Sequence, residues 1–151
     1  MGDRAFNGCS SLLDPVFYDT LETIGQSAFS SCNALDSVVI PGTVTNFGLK
    51  AFSSCSNIKN LVLNEGLSGI ADFGFDQCFN LKSITFPETL SYINTYCFRY
   101  NYKLQNLNIP DNVSVIENHA FYTCWSLATS QECLDVVNFG SGLKFIGEQA
   151  F

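Results

Sequence analysis

The stretch Leu35–Cys55, LDSVVIPGTVTNFGLKAFSSC, is the key to the chain, because the residues on both sides of it repeat its pattern. A small residue followed by Phe recurs at Ala5-Phe6, Ala28-Phe29, Ala51-Phe52, Gly74-Phe75, Cys97-Phe98, Ala120-Phe121 and Ala150-Phe151, and the first five steps are each 23 residues. A unit this short cannot bury its apolar face alone, so the period predicts a solenoid whose coils stack on one another. Three residues past each Phe stand Cys9, Cys32, Cys55, Cys78, Asn101 and Cys124. Three further on come Leu12, Leu35, Ile58, Leu81, Leu104 and Leu127, and four more apolar columns follow in register, such as Ile24, Phe47, Ile70, Ile93, Ile116 and Ile146.

Within one unit, Leu35-Asp36-Ser37-Val38-Val39-Ile40 alternates, which directs Val38 and Ile40 inward and Ser37 and Val39 outward along a short strand. Copies run in the same chain direction, so strands at about 37–40, 60–63, 83–86, 106–109 and 136–139 are expected to form one parallel sheet. Pro41, Pro87 and Pro110 follow three of them and lack the N–H that would extend the ladder. Val44–Phe47 and its equivalents read as a second brief extended stretch. Gln26–Ser31 reads as one helical or 3₁₀ turn that points Phe29 into the core.

The segments IPGTVTNFGLKAFSSC (40–55), FPETLSYINTYCF (86–98) and IPDNVSVIENHAFYTC (109–124) resemble the BspA-like leucine-rich repeat, and the resemblance covers nearly the whole chain. It implies an α/β leucine-rich-repeat solenoid, a right-handed superhelix with a parallel sheet on one face and short strands and helical or 3₁₀ turns on the other. Residues 1–151 are then a single array of about six repeats. It opens and closes in mid-repeat without polar caps, as expected of a piece truncated at both ends. The resemblance further implies a cell-surface or secreted protein that adheres to host matrix proteins or to other cells.

Fourteen acidic against seven basic residues give a formal net charge of −7. The basic residues are scattered, so neither the phosphate backbone of a nucleic acid nor an anionic membrane surface is an expected partner. No apolar run is long enough to span a bilayer, and MGDRAF does not read as a secretory signal. Five of the seven cysteines share one column, whereas zinc ligands pair two to four residues apart, so no metal site and no cofactor is expected. Coils about 4.8 Å apart hold in-register Cβ atoms beyond the roughly 3.8 Å that a disulfide favours. Cys9, Cys32, Cys55, Cys78 and Cys124 are therefore expected to be buried free thiols.

No catalytic constellation emerges. The carboxylates, with Asp72 and Asp76 among them, read as scattered over solvated turns, without the facing pair that a glycosidase needs. His119 shares a column with Ser27, Lys50, Phe73, Tyr96 and Gln149, which reads as a surface position of no fixed character. Asn112-Val113-Ser114 fits an N-glycosylation sequon. The rhythm breaks once, between Ala120 and Ala150, where seven extra residues at about 128–134 read as an insertion on a rim.

One column changes character along the chain. The residue after the Cys column is Ser10, Asn33 and Ser56, and then Phe79, Tyr102 and Trp125. Flanked by Tyr100 and Tyr122, this predicts an exposed aromatic ladder that grips a protein or glycan partner. The expected role is thus a non-enzymatic interaction module, with a structural spacer or an ancillary domain of a secreted hydrolase as the alternatives.

Overall fold

The computed structural model describes residues 1–124 and 136–151. Its strands are β1 (Thr23–Ile24), β2 (Ser37–Ile40), β3 (Asn46–Phe47), β4 (Asn60–Leu63), β5 (Ser83–Thr85), β6 (Tyr92–Ile93), β7 (Asn106–Asn108), β8 (Val115–Ile116), β9 (Val136–Asn138) and β10 (Phe145–Ile146). Every strand pairing is parallel, as the repeated chain direction requires.

The longer strands follow the register of the period, with Ser37 opposite Asn60 and Asn60 opposite Ser83. The expected single sheet is nevertheless divided: β2, β4 and β5 form one sheet, and β7 and β9 another. Across the division the Gln105 N–H still donates to the Lys82 carbonyl at 3.3 Å. Pro110 stands where, two coils earlier, Asn64 donates its N–H to the Ile40 carbonyl, so that rung is lost. The alternation holds, since Val38, Ile40, Leu61, Leu63 and Leu107 are buried while Ser37, Asn60 and Asn106 face solvent.

The second extended stretch pairs β1 with β3 and lines up β6, β8 and β10. It breaks at the coil of Gly69, where a Cβ would meet the Tyr92 ring within 2.6 Å. The ring of Tyr92 lies across that glycine.

Among the described residues there is no α- or 3₁₀-helix, which corrects the helical reading of the turn after each second stretch. The reason is backbone conformation. The residue before the small column (Ser27, Lys50, Phe73, Tyr96, His119) and the residue before the Cys column (Ser31, Ser54, Gln77, Tyr100, Thr123) have φ between 53° and 63°. Left-handed residues at both ends of the turn stop a right-handed helix from forming. Alternate N–H groups then bond within the coil and between coils. Ala28 donates to Gly25 in its own coil at 3.2 Å, while Phe29 donates to Ala51 of the next at 2.8 Å. The turns are therefore knitted into a ribbon of their own.

Inside it the Phe column stacks without interruption. Phe6, Phe29, Phe52, Phe75, Phe98, Phe121 and Phe151 lie ring on ring at 4.9–5.7 Å with interplanar angles of 4–9°. The step from Phe121 to Phe151 is 5.3 Å, so the longer last repeat closes onto the same stack. Phe17, Phe86 and Phe139 meet the stack edge-on from the sheet side.

The Cys column has a hydrogen-bonding role as well as a packing one. The thiols of Cys32, Cys55, Cys78 and Cys124 donate to the carbonyls of Phe6, Phe29, Phe52 and Phe98 at 3.0–3.4 Å, each in the preceding coil. Asn101 does the same through Nδ2 to the Phe75 carbonyl at 3.1 Å, which explains how an amide replaces a thiol there. Its Oδ1 is left buried without a partner among the described residues. These cysteines are free and buried, and so is Cys97. Cys9 departs from expectation and is exposed, because its coil has another coil on one side only in this structure. Phe6, Phe145, Ile146 and Phe151 are exposed at the two ends for the same reason.

Candidate functional site

The column after the cysteines changes as its sequence does. Ser56 Oγ donates to Asn33 Oδ1 at 3.1 Å, a hydrogen-bonded polar step. In the following coils Phe79 and Tyr102 stack at 5.4 Å with an interplanar angle of 10°. Tyr100 leans on Tyr102 at 6.0 Å and meets Tyr122 edge-on at 6.1 Å. Phe79 is 37% exposed and the three tyrosines are half-buried, so the cluster lies at the surface with its bases anchored. Four of the five predicted residues are thus brought together. Trp125 and the insertion at 128–134 lie outside the described residues.

A second ladder runs beside the first, in the column that read as featureless. Lys50 Nζ lies 5.2 Å from the Phe73 ring, Phe73 stacks on Tyr96 at 4.8 Å, and Tyr96 stacks on His119 at 4.8 Å. His119 also meets Tyr122 edge-on at 5.4 Å, which joins the two ladders at that coil. His119 is accordingly a half-buried member of an aromatic cluster and not an isolated surface residue. Its Nε2 lies 3.1 Å from Gln149 Oε1, and its Nδ1 is buried without a partner among the described residues. The signal was present in the sequence: Phe73, Tyr96 and His119 are planar rings in consecutive coils, and a column shared with Ser27 and Lys50 hid their run.

Arg99 joins the ladders a second time. Its guanidinium lies 5.4 Å from the Phe73 ring, 4.7 Å from Tyr96 and 4.8 Å from Tyr100. Nε and Nη2 donate to the two carboxylate oxygens of Asp76 at 2.9 and 3.0 Å. The Asp76 side chain is 3% exposed, so this is a forked ion pair anchored in the protein. Hydrogen bonding to Asp76, the largest influence, holds the Arg99 pKa above its ordinary value. Asp76 is therefore an anchor, where the sequence suggested a solvated turn.

The carboxylates differ from expectation in one further respect, since Glu65, Glu88 and Asp111 occupy one place in consecutive coils. Glu65 accepts the N–H groups of Glu88 and Thr89, and Asp111 accepts that of Ser141, so these two cap the next coil. The Ser141 N–H holds the Asp111 carboxyl below its usual range. A shallow cleft of about 370 Å³ opens beside Glu88 and Asp111 where the sheet divides, lined also by Phe86 and Asn108. Among the described residues no three His, Cys, Asp or Glu side chains gather as metal ligands.

The repeat geometry meets its counterpart in known proteins. The profile of the BspA type leucine rich repeat region matches residues 1–128 in six copies. The chain belongs to the BspA-type leucine-rich-repeat family. Among solved structures, the leucine-rich-repeat protein TpLRR of T. pallidum is similar over 90% of this chain and 72% of its own, with 21% identity and a TM-score of 0.66. A leucine-rich repeat protein from Eubacterium ventriosum is 26% identical over 76% of this chain, with a TM-score of 0.56. A leucine rich cell surface protein from Faecalibacterium prausnitzii is 23% identical over 92%, with a TM-score of 0.53. This chain spans 37% and 44% of the last two. No curated protein matches it.

The buried thiols of this BspA-type array are poor nucleophiles. Burial pushes Cys55 and Cys124 up to about 12 and raises Cys78 and Cys97 as well, so all four are held as neutral thiols at physiological pH. The carbonyl bonds of Cys55, Cys78 and Cys124 make them structural. Asn112 of the sequon is exposed, and its Nδ2 donates to the Glu88 carbonyl at 2.7 Å. No helix among the described residues is long and apolar enough to cross a membrane.

Proposed function

We propose that this BspA-type array is a non-enzymatic binding module of a cell-surface or secreted protein, which holds a protein or glycan partner in adhesion. The observation that carries this reading is the change of one column from the Asn33–Ser56 hydrogen bond to the Phe79–Tyr102 stack, joined by Tyr100 to Tyr122 at the surface. The innermost column is Phe in every coil, whereas this one is polar in half of them, and its Phe79 is exposed. Tyrosine and tryptophan supply large contact areas with few rotatable bonds and dominate interface hot spots. The similar protein from Faecalibacterium prausnitzii is described as a cell surface protein, which agrees with the proposed location.

A spacer is the second reading, favoured by the way the rings satisfy one another through stacking. The two readings separate in one experiment. Tyr102 and Trp125 are replaced together by Ser, and the chain is applied to arrayed matrix proteins and glycans. Binding by the native chain that disappears in the folded variant supports the module; equal binding by both returns the aromatic column to a packing role, and none by either supports the spacer.

A further inference from the structure

One step of the stack differs from the rest. Successive rings of the Phe column lie 4.9–5.3 Å apart at five of its six steps and 5.7 Å apart between Phe75 and Phe98. The sheet divides at this same step, between β5 and β7. The bond that remains there, from the Gln105 N–H to the Lys82 carbonyl, measures 3.3 Å, whereas its equivalents from Lys59 to Asp36 and from Lys82 to Lys59 measure 2.7 and 2.8 Å. The cleft of about 370 Å³ lies in the gap, with Phe86 and Glu88 on one wall and Asn108 and Asp111 on the other. The gap reaches the core: Val38, Ile40, Leu61, Leu63, Leu107 and Ile109 are buried, but Ile84 and Phe86, the inward residues of the coil that borders it, are only half-buried.

The other two sides of the solenoid are held at this step. In the turn ribbon, the Phe75 N–H donates to Cys97 and the Gln77 N–H to Arg99, both at 2.8 Å, as closely as Phe52 donates to Gly74 and Ser54 to Asp76 one step earlier, at 2.9 and 2.8 Å. The Asp76–Arg99 fork spans the same step, because Asp76 follows Phe75 and Arg99 follows Phe98. Along the second extended stretch, the Ser91 N–H donates to the Ser68 carbonyl at 3.2 Å and Asn94 Nδ2 to the Ile70 carbonyl at 2.9 Å. Asn101 crosses the step as well, to the Phe75 carbonyl, but its Oδ1 is buried without a partner among the described residues, where the steps before and after carry the thiols of Cys78 and Cys124. An interface bonded along two sides and open along the third has one soft direction, a rotation that widens the open side.

We propose that the step between the coils of Phe75 and Phe98 is a hinge. The coils before and after it move as two bodies, the sheet face opens at the cleft, and the turn ribbon with the Asp76–Arg99 fork is the pivot. Amide hydrogen exchange followed residue by residue by NMR on the 151-residue chain tests this, because each bond across the step has an equivalent in an earlier step as its reference. After correction for intrinsic rates, the Gln105 N–H is expected to exchange about tenfold faster than those of Lys59 and Lys82, an opening easier by about 1.4 kcal/mol. Phe75 and Gln77 are expected to stay as protected as Phe52 and Ser54. Relaxation dispersion of the methyl groups of Ile84, Leu107 and Ile109, which border the gap from both sides, should give one common rate in the microsecond-to-millisecond range of hinge motions. In Arg99→Lys, which loses the fork and is first shown to be folded by circular dichroism, Phe75 and Gln77 should lose more protection than Phe29 and Ser31, two steps earlier. Exchange of Gln105 as slow as that of Lys82, or methyl groups with unrelated rates, would overturn the hinge. Fast exchange of Phe75 and Gln77 together with Gln105 would show a step that parts on all sides and overturn the pivot, as would an equal loss at all four positions in Arg99→Lys.

Discussion

Replacing Arg99 by Met tests whether the Asp76–Arg99 pair is a structural anchor or a surface ion pair. Met preserves the length and apolar stem of the side chain, so the loss falls on the charge and the fork. The structure separates the partners clearly: the Asp76 side chain is 3% exposed and the Arg99 side chain 22%. Removing the guanidinium leaves the carboxylate buried, with Gln77 Nε2 at 3.1 Å as its one side-chain donor among the described residues. Breaking a buried pair in this one-sided way costs about 3–5 kcal/mol, whereas exposed pairs contribute roughly 0–1 kcal/mol. For a chain of this length each kcal/mol moves the midpoint by about 2–4 °C, so a fall of roughly 6–20 °C is expected. Thermal and urea unfolding followed by far-ultraviolet circular dichroism provide the measurement. The double variant Asp76→Asn with Arg99→Met should recover most of the loss, because no charge is then stranded. A single variant within about 1 kcal/mol of the native chain, the range of an exposed pair, would refute the reasoning and return Asp76 to the solvated surface.

Three further outcomes follow from the same geometry. Phe75→Ala removes one fully buried rung between Phe52 and Phe98, and should cost about 3–5 kcal/mol in urea unfolding; Thr45→Ala, at an exposed position, should cost little. The buried thiols make stability fall at high pH: their folded pKa values lie above the ordinary 9.0, at about 12 for Cys55 and Cys124, so the unfolded chain ionises first and stability present below pH 9.0 is lost between there and about 12. Urea midpoints at rising pH should show this decline, and Cys9 should react with a thiol reagent in the native chain before the buried column does. Thr123 is a β-branched residue at φ 56°, so Thr123→Gly should stabilise by about 0.5–1 kcal/mol if relief of left-handed strain outweighs the added chain entropy, and an unchanged or lowered melting temperature would count against strain there.

The period of 23 residues, the parallel pairing, the alternation of Val38 and Ile40 against Ser37 and Val39, and the inward Phe column were all legible in the chain, because each depends on a spacing. In a solenoid the register between coils follows from the repeat length, so residues that share a column must be neighbours in space. The Phe79–Tyr102 stack was foreseeable for that reason. The helical turn was misjudged because periodicity reports which side chains face inward and says nothing of the sign of φ. Left-handed backbones at Ser27 and Ser31 turn the chain as tightly as a helix would while leaving alternate N–H groups free to reach the next coil. Contacts between different columns were also beyond the sequence. That Arg99 lies against Tyr96 and Tyr100, that Asp76 is buried beneath it, and that His119 meets Tyr122 depend on how far the turn swings each column around the axis. Repetition determines neighbours along the solenoid, and only the tertiary structure decides which columns become neighbours around it.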